Sequence, residues 1–161
     1  MKVSLAILIF VIVAAAISST AQERKYIVMK RATPAAASAP FSEAVLVGDT
    51  LHIGGHIGID SATGKPGATP EEEARLVMEA VKRTVEAGGM TMDDLVSVQV
   101  YCSDVSFYAA FNGVYRTYFN GNFPARAFLG SGKLLFDARY EVLGVAVKKK
   151  GKFQPVKQQS K

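Results

Sequence analysis

Arg126 and Glu141 are the two residues whose types and placement most suggest chemistry. Arg126 sits near the start of an apolar run, Phe123-Pro124-Ala125-Arg126-Ala127-Phe128-Leu129, and Glu141 follows in the next one, Tyr140-Glu141-Val142. Both runs have strand character, so two ionised groups are carried toward a small domain's interior. A charge there is costly unless it is paired or put to use. Two readings stay open at this point. In one, the residues form a structural ion pair. In the other, the guanidinium grips the carboxylate of a small organic acid through two parallel hydrogen bonds, and the glutamate beside it handles a proton.

Other chemistries find little support. The sequence has no phosphate loop, no dinucleotide-binding glycine fingerprint, no HExxH motif and no nucleophile elbow. His52 and His56 are its only histidines. Four apart in a strand, they would share a face unless Gly54-Gly55 shifts the register. Two imidazoles are a thin basis for a metal site, and none is expected. Cys102 alternates with Val98 and Val100 and reads as a small buried hydrophobe. As the single cysteine it can form no intrachain disulfide.

The elements that must position Arg126 and Glu141 are legible. Residues 24–30 read as a first strand. Ala44-Val45-Leu46-Val47 and Thr50-Leu51-His52-Ile53 flank a Gly48-Asp49 turn and read as a hairpin. Gly54-Gly55 then lets the backbone bulge or approach something closely. Thr69 and Glu72 form a capping-box pattern around Pro70, and Glu71, Glu72 and Glu73 suit the positive end of a helix. Ala74, Val77, Met78, Val81 and Val85 make its apolar stripe, and Gly88-Gly89 ends it. Leu95 to Cys102 alternates as a strand. A second helix, capped at Asp104 or Ser106, presents Phe107, Phe111, Val114, Tyr115 and Tyr118. Ala125–Leu129 and Tyr140–Val147 are the last strands. The order β-β-β-α-β-α-β-β implies an α+β fold, a mixed sheet of about six strands with two helices on one face. Nothing in the chain covers the other face. If apolar, it must meet another subunit.

The 161 residues suit one domain, and 49% hydrophobic content is enough for a core. Residues 1–21 read as a signal peptide: Met1-Lys2 is the basic start, Leu5 to Ile17 is apolar, and Ser19 and Ala21 are the small pair before cleavage. The mature chain would begin near Gln22 and be exported, to the periplasm or beyond, without stable membrane insertion. Residues 22–147 form the domain. The net charge of +5 comes from a tail at 148–161, where Lys148, Lys149, Lys150, Lys152, Lys157 and Lys161 cluster. A terminal basic run of this kind reads as a solvated, disordered end rather than a nucleic-acid face.

Four segments together resemble the RidA/YjgF family of enamine/imine deaminases. They are Ile53-Gly54-Gly55-His56-Ile57-Gly58-Ile59-Asp60, Val85-Glu86-Ala87-Gly88-Gly89, Phe107-Tyr108-Ala109-Ala110-Phe111-Asn112-Gly113-Val114-Tyr115, and Phe123-Pro124-Ala125-Arg126 with Tyr140-Glu141-Val142 following. The resemblance covers roughly residues 38 to 147. It implies a chorismate-mutase-like subunit and a homotrimer with sites in the clefts between subunits. It implies that Arg126 holds a substrate carboxylate and that Glu141 positions or activates water. The backbone near Gly55 and the carbonyl near Phe128 would frame the pocket, with Asn112 close to the ligand. The implied reaction converts 2-imino acids to 2-oxo acids and ammonia without a cofactor. The chain departs from the family's usual pattern at Phe41 (commonly tyrosine), Gly54 (commonly serine) and His56 (commonly glutamine). Those departures leave open a shifted substrate, or a non-catalytic binding or stress-related module on the same scaffold. An RNA-directed role, ribonuclease or translation inhibitor, sits poorly with export.

Overall fold

Thr69 starts the longer helix as its sequence requires. Its hydroxyl accepts from the Glu72 amide at 3.1 Å, and the Glu72 carboxylate accepts from the Thr69 amide at 3.2 Å. The helix they cap, α1, spans Pro70–Ala87 and buries Ala74, Val77, Met78, Val81 and Val85. Gly89 leaves it with φ +74°, a conformation that suits glycine. These features come from a computed structural model that describes residues 22–29 and 39–149. The predicted signal peptide and nearly all of the lysine-rich tail lie outside the described residues.

Six strands form one sheet: β1 Arg24–Ile27, β2 Ala44–Val47, β3 Thr50–Ile57, β4 Leu95–Cys102, β5 Ala125–Gly130 and β6 Tyr140–Val147. Their spatial order is β1-β2-β3-β6-β4-β5. The β2–β3 hairpin turns at Gly48, whose φ is +59°. Only β4 and β5 run parallel, joined through the shorter helix α2, Tyr108–Tyr115. The mixed sheet, the two helices and the element order match the sequence expectation.

Three boundaries differ from it. The first strand stops at Ile27, short of the expected residue 30. β3 runs on to Ile57 through a bulge between Ile53 and His56. The expected second helix is split into a 3₁₀ turn at Val105–Phe107, α2, and another 3₁₀ turn at Arg116–Tyr118. The cause is local hydrogen bonding. The Asp104 carboxylate accepts from the Ser106 amide at 2.8 Å and tightens the entry, while the Thr117 hydroxyl donates back to the Val114 carbonyl at 2.7 Å.

Both helices pack on one face of the sheet. Leu51, Val98, Val100, Tyr140 and Val142 from the strands meet Val77, Met78, Val81 and Phe111 from the helices, all buried. Each such side chain contributes about 1.5–3 kcal/mol of transfer free energy. Strand alternation sends Val45, Ile57, Tyr101, Leu129, Leu143 and Val145 to the opposite face, together with His52, Gln99 and Glu141. No described element covers that face. The bulge also separates the histidines: His52 is exposed there, while His56 is buried on the helix side.

Candidate functional site

Arg126 lies opposite Val98 in the β4–β5 register, so its side chain goes to the helix face. There it enters an aromatic box. Its guanidinium carbon is 4.5 Å from the Tyr115 ring centroid and 5.8–5.9 Å from those of Tyr108, Phe111 and Phe128. Stacking of this kind holds a guanidinium in place without consuming its hydrogen bonds. Nη2 donates to Asn112 Oδ1 at 2.7 Å, which fixes the plane of the group. Nη1 is buried and has no hydrogen-bond partner. The Tyr115 hydroxyl is buried and unpartnered in the same way. Burial pushes its phenol up to about 12, with Arg126 pulling weakly the other way, so it stays a donor at neutral pH. The Asn112 amide and then the Arg126 charge draw the exposed Tyr108 phenol below its ordinary value. Tyr108, Asn112, Tyr115, Phe123 and Arg126 line a cavity of about 300 Å³. Two unsatisfied donors at its edge make this a place suited to an anionic oxygen.

Glu141 is elsewhere. It lies opposite Tyr101 and Ile57, on the open face of the sheet. Gly55 makes room for it, since a Cβ at Gly55 would run into the Glu141 carboxylate. The sequence expected a close approach at Gly54-Gly55, and Glu141 is the group approached. A shallow cleft of about 560 Å³ holds Glu141 together with Lys133, Leu134, Leu135, Phe136 and Asp137. Arg126 and Glu141 form no ion pair, which removes the structural salt-bridge reading. Within one chain they are also not neighbours. β4 separates their strands, and the registers offset them by three residues. At about 4.8 Å per strand and 3.3 Å per residue, their Cα atoms are roughly 14 Å apart, with side chains on opposite faces.

The remaining predicted residues divide between these places. Asn112 and Phe128 belong with Arg126. Gly55 belongs with Glu141 and also borders a third cavity, of about 400 Å³, with Phe41, Glu43, His56, Arg83 and Thr84. There the His56 ring bridges two elements: Nδ1 is 3.5 Å from Glu43 Oε2, and Nε2 is 3.1 Å from Thr84 Oγ1 on α1. This chain of polar groups was not read from the sequence, because its members are far apart in it.

Glu73 was missed too. The sequence offered it only as a third acidic residue near a helix start. It is fully buried, accepts from the backbone amides of Arg139 and Tyr140, and pairs with Arg139 Nη1 at 2.7 Å. It thereby fixes the entry to β6 at Arg139 and Tyr140, immediately before Glu141. Gly58 and Gly67 pack so closely on Glu73 that a side chain at either would collide with it.

This fold is one with known relatives. The family described as endoribonuclease L-PSP matches residues 31–148. The chain belongs to that family, the YjgF/RidA family. A 2-iminobutanoate/2-iminopropanoate deaminase of Capra hircus is 34% identical over 122 residues, covering 74% of this chain and 88% of the relative. The crystal structure of the E. coli YjgF gene product superposes with a TM-score of 0.71 at 30% identity, covering 78% of this chain and 99% of that one. E. coli TdcF, solved with bound serine, gives 0.70 at 28% identity, covering 78% of this chain and all of that one.

Proposed function

We propose that this protein hydrolyses reactive 2-imino acids, and their enamine tautomers, to 2-oxo acids and ammonia. The observation that carries the reading is Arg126: a guanidinium stacked among aromatic rings, fixed on one side by Asn112, with a buried nitrogen that has no partner. A buried cationic donor of this kind is costly unless a ligand uses it. A carboxylate is the ligand its geometry fits best. Relatives named as imine deaminases, and a relative of known structure that binds an amino acid, point to the same ligand class.

The chemistry follows from one water. Glu141 takes a proton from that water as its oxygen bonds to the imine carbon. The C=N electron pair moves onto nitrogen, which takes that proton from Glu141. The resulting carbinolamine expels ammonia as its hydroxyl proton passes through Glu141 to the leaving nitrogen and C=O forms. Nothing is oxidised or reduced, so the residues need supply only orientation and proton transfer.

Arg126 and Glu141 are too far apart in one chain to serve one three- or four-carbon acid. The reading therefore places the site between copies, with Arg126 from one and Glu141 from its neighbour. The uncovered apolar sheet face supplies a surface for such assembly, and a homotrimer is the arrangement proposed. Export is part of the proposal, resting on the N-terminal sequence. N-terminal sequencing of protein recovered outside the cytoplasm should begin near Gln22, and a start at Met1 would refute a cleaved signal peptide.

An amino-acid oxidase generating imines in the presence of semicarbazide tests the activity. The protein should suppress semicarbazone formation, and Arg126→Ala should abolish the effect. Equal behaviour of the two proteins across several imines refutes catalysis. Ligand binding that survives without suppression would instead identify a binding module.

A further inference from the structure

The connection from β5 to β6 carries the most unusual backbone among the described residues. Phe136 and Asp137 have φ of +58° and +57°, whereas every other positive φ there belongs to a glycine. A bulky side chain rarely adopts this conformation, and Asn or Gly would adopt it more readily. The 3₁₀ turn Leu135–Asp137 nevertheless holds Phe136 and Leu135 outward, 68% and 71% exposed. A Lys133–Asp137 ion pair at 2.8 Å closes the base of the turn. Leu134, half-buried, completes an apolar wall in the same shallow cleft as Glu141. Strained backbone that presents apolar side chains beside an acid/base group is a pattern expected of binding sites.

We propose that the Leu134–Phe136 turn recognises the substrate's side chain and selects 2-imino acids bearing branched or aromatic apolar groups. This rests on the deaminase reading. If Glu141 delivers water to the imine carbon, that carbon lies within about 3–3.5 Å of the water. The substrate's Cβ is bonded to the same carbon, so its side chain must leave along the wall of the Glu141 cleft. A methyl group would leave Leu135 and Phe136 in water, whereas an isobutyl or benzyl group would cover them. The other possible occupant is a neighbouring copy of the chain, which would bury the same residues without regard to substrate.

The test uses the full-length protein and imines made from alanine, leucine and phenylalanine in the semicarbazide assay. Phe136→Asn removes the ring but keeps a residue that tolerates the left-handed backbone. It should lower kcat/KM for the leucine and phenylalanine imines by about tenfold or more and leave the alanine imine within about twofold. Phe136→Leu should restore most of the loss. Binding of phenylpyruvate and pyruvate, followed by calorimetry, gives a second readout, and Phe136→Asn should weaken only the former. If the wild type acts on no imine but this binding difference appears, the recognition turn stands and the deaminase reading fails. A uniform loss across all three imines, no loss at all, or a change in oligomeric state with unchanged selectivity overturns the proposal.

Discussion

Gly55→Ala should separate activity from stability. Gly55 lies against Glu141, and an added Cβ would meet Oε1 well inside contact, with Cδ at 3.0 Å and Cγ at 3.3 Å. The obstruction is the far end of a side chain, not backbone, so the protein can give way by turning Glu141. Pushing that side chain off its rotamer costs about 0.5–1.5 kcal/mol, and stability should fall by no more than that. The carboxylate must withdraw by roughly an ångström, and misplacement on that scale at a reacting centre costs about a hundredfold in rate. Thermal unfolding and the semicarbazide assay, run on the same preparation, read the two effects. Gly113→Ala is the control, since a Cβ there meets nothing within 4 Å. It should leave activity unchanged and stability equal or up to about 1 kcal/mol higher. Gly55→Ala with activity within threefold of wild type would refute the assignment of Glu141 to the reaction.

Three further outcomes are expected. Glu73→Ala strips the Arg139 guanidinium and two backbone amides of their acceptor, and denaturant unfolding should show a loss of about 3 kcal/mol. Glu73→Gln, which keeps an acceptor oxygen, should lose less. Thr69→Ala removes the helix cap and should cost about 1 kcal/mol in the same measurement. Burial raises the Cys102 thiol and the Tyr115, Tyr118 and Tyr140 phenols, so the folded chain holds these protons more tightly than the unfolded one. The stability they contribute is complete below their unfolded values, near 8.5 for the thiol and 10 for the phenols, and is lost as pH rises through and beyond them. The melting temperature should therefore fall from about pH 8.5 upward, more steeply past 10. A flat alkaline profile would contradict that.

What the sequence revealed and what it hid have physical causes. The Thr69–Glu72 cap, the α1 stripe, the Gly48-Asp49 hairpin and the alternation of β4 are local, set by residues within a few positions of one another. Each is found where the sequence puts it. The split of the second helix is local too, but it turns on the competing hydrogen bonds of Asp104 and Thr117, which a hydrophobic stripe does not register. The faces of Arg126 and Glu141 depend on sheet order. β5 and β6 are consecutive in the chain, yet β4 stands between them, so a fifteen-residue spacing says nothing about contact. The Glu73–Arg139 pair and the Glu43–His56–Thr84 chain join residues on separate segments of the chain, and only the folded chain shows them.

Subunit mixing tests the central claim most directly: that Arg126 and Glu141 act together on one 2-imino acid, each from a different copy. Arg126→Ala and Glu141→Gln proteins should each be inactive in the semicarbazide assay. After unfolding and refolding together in equal amounts, about a quarter of the sites should pair an intact Arg126 with an intact Glu141, and activity should return to about that fraction of wild type. Mixtures as inactive as the separate variants, despite verified subunit exchange, would contradict a site shared in this way.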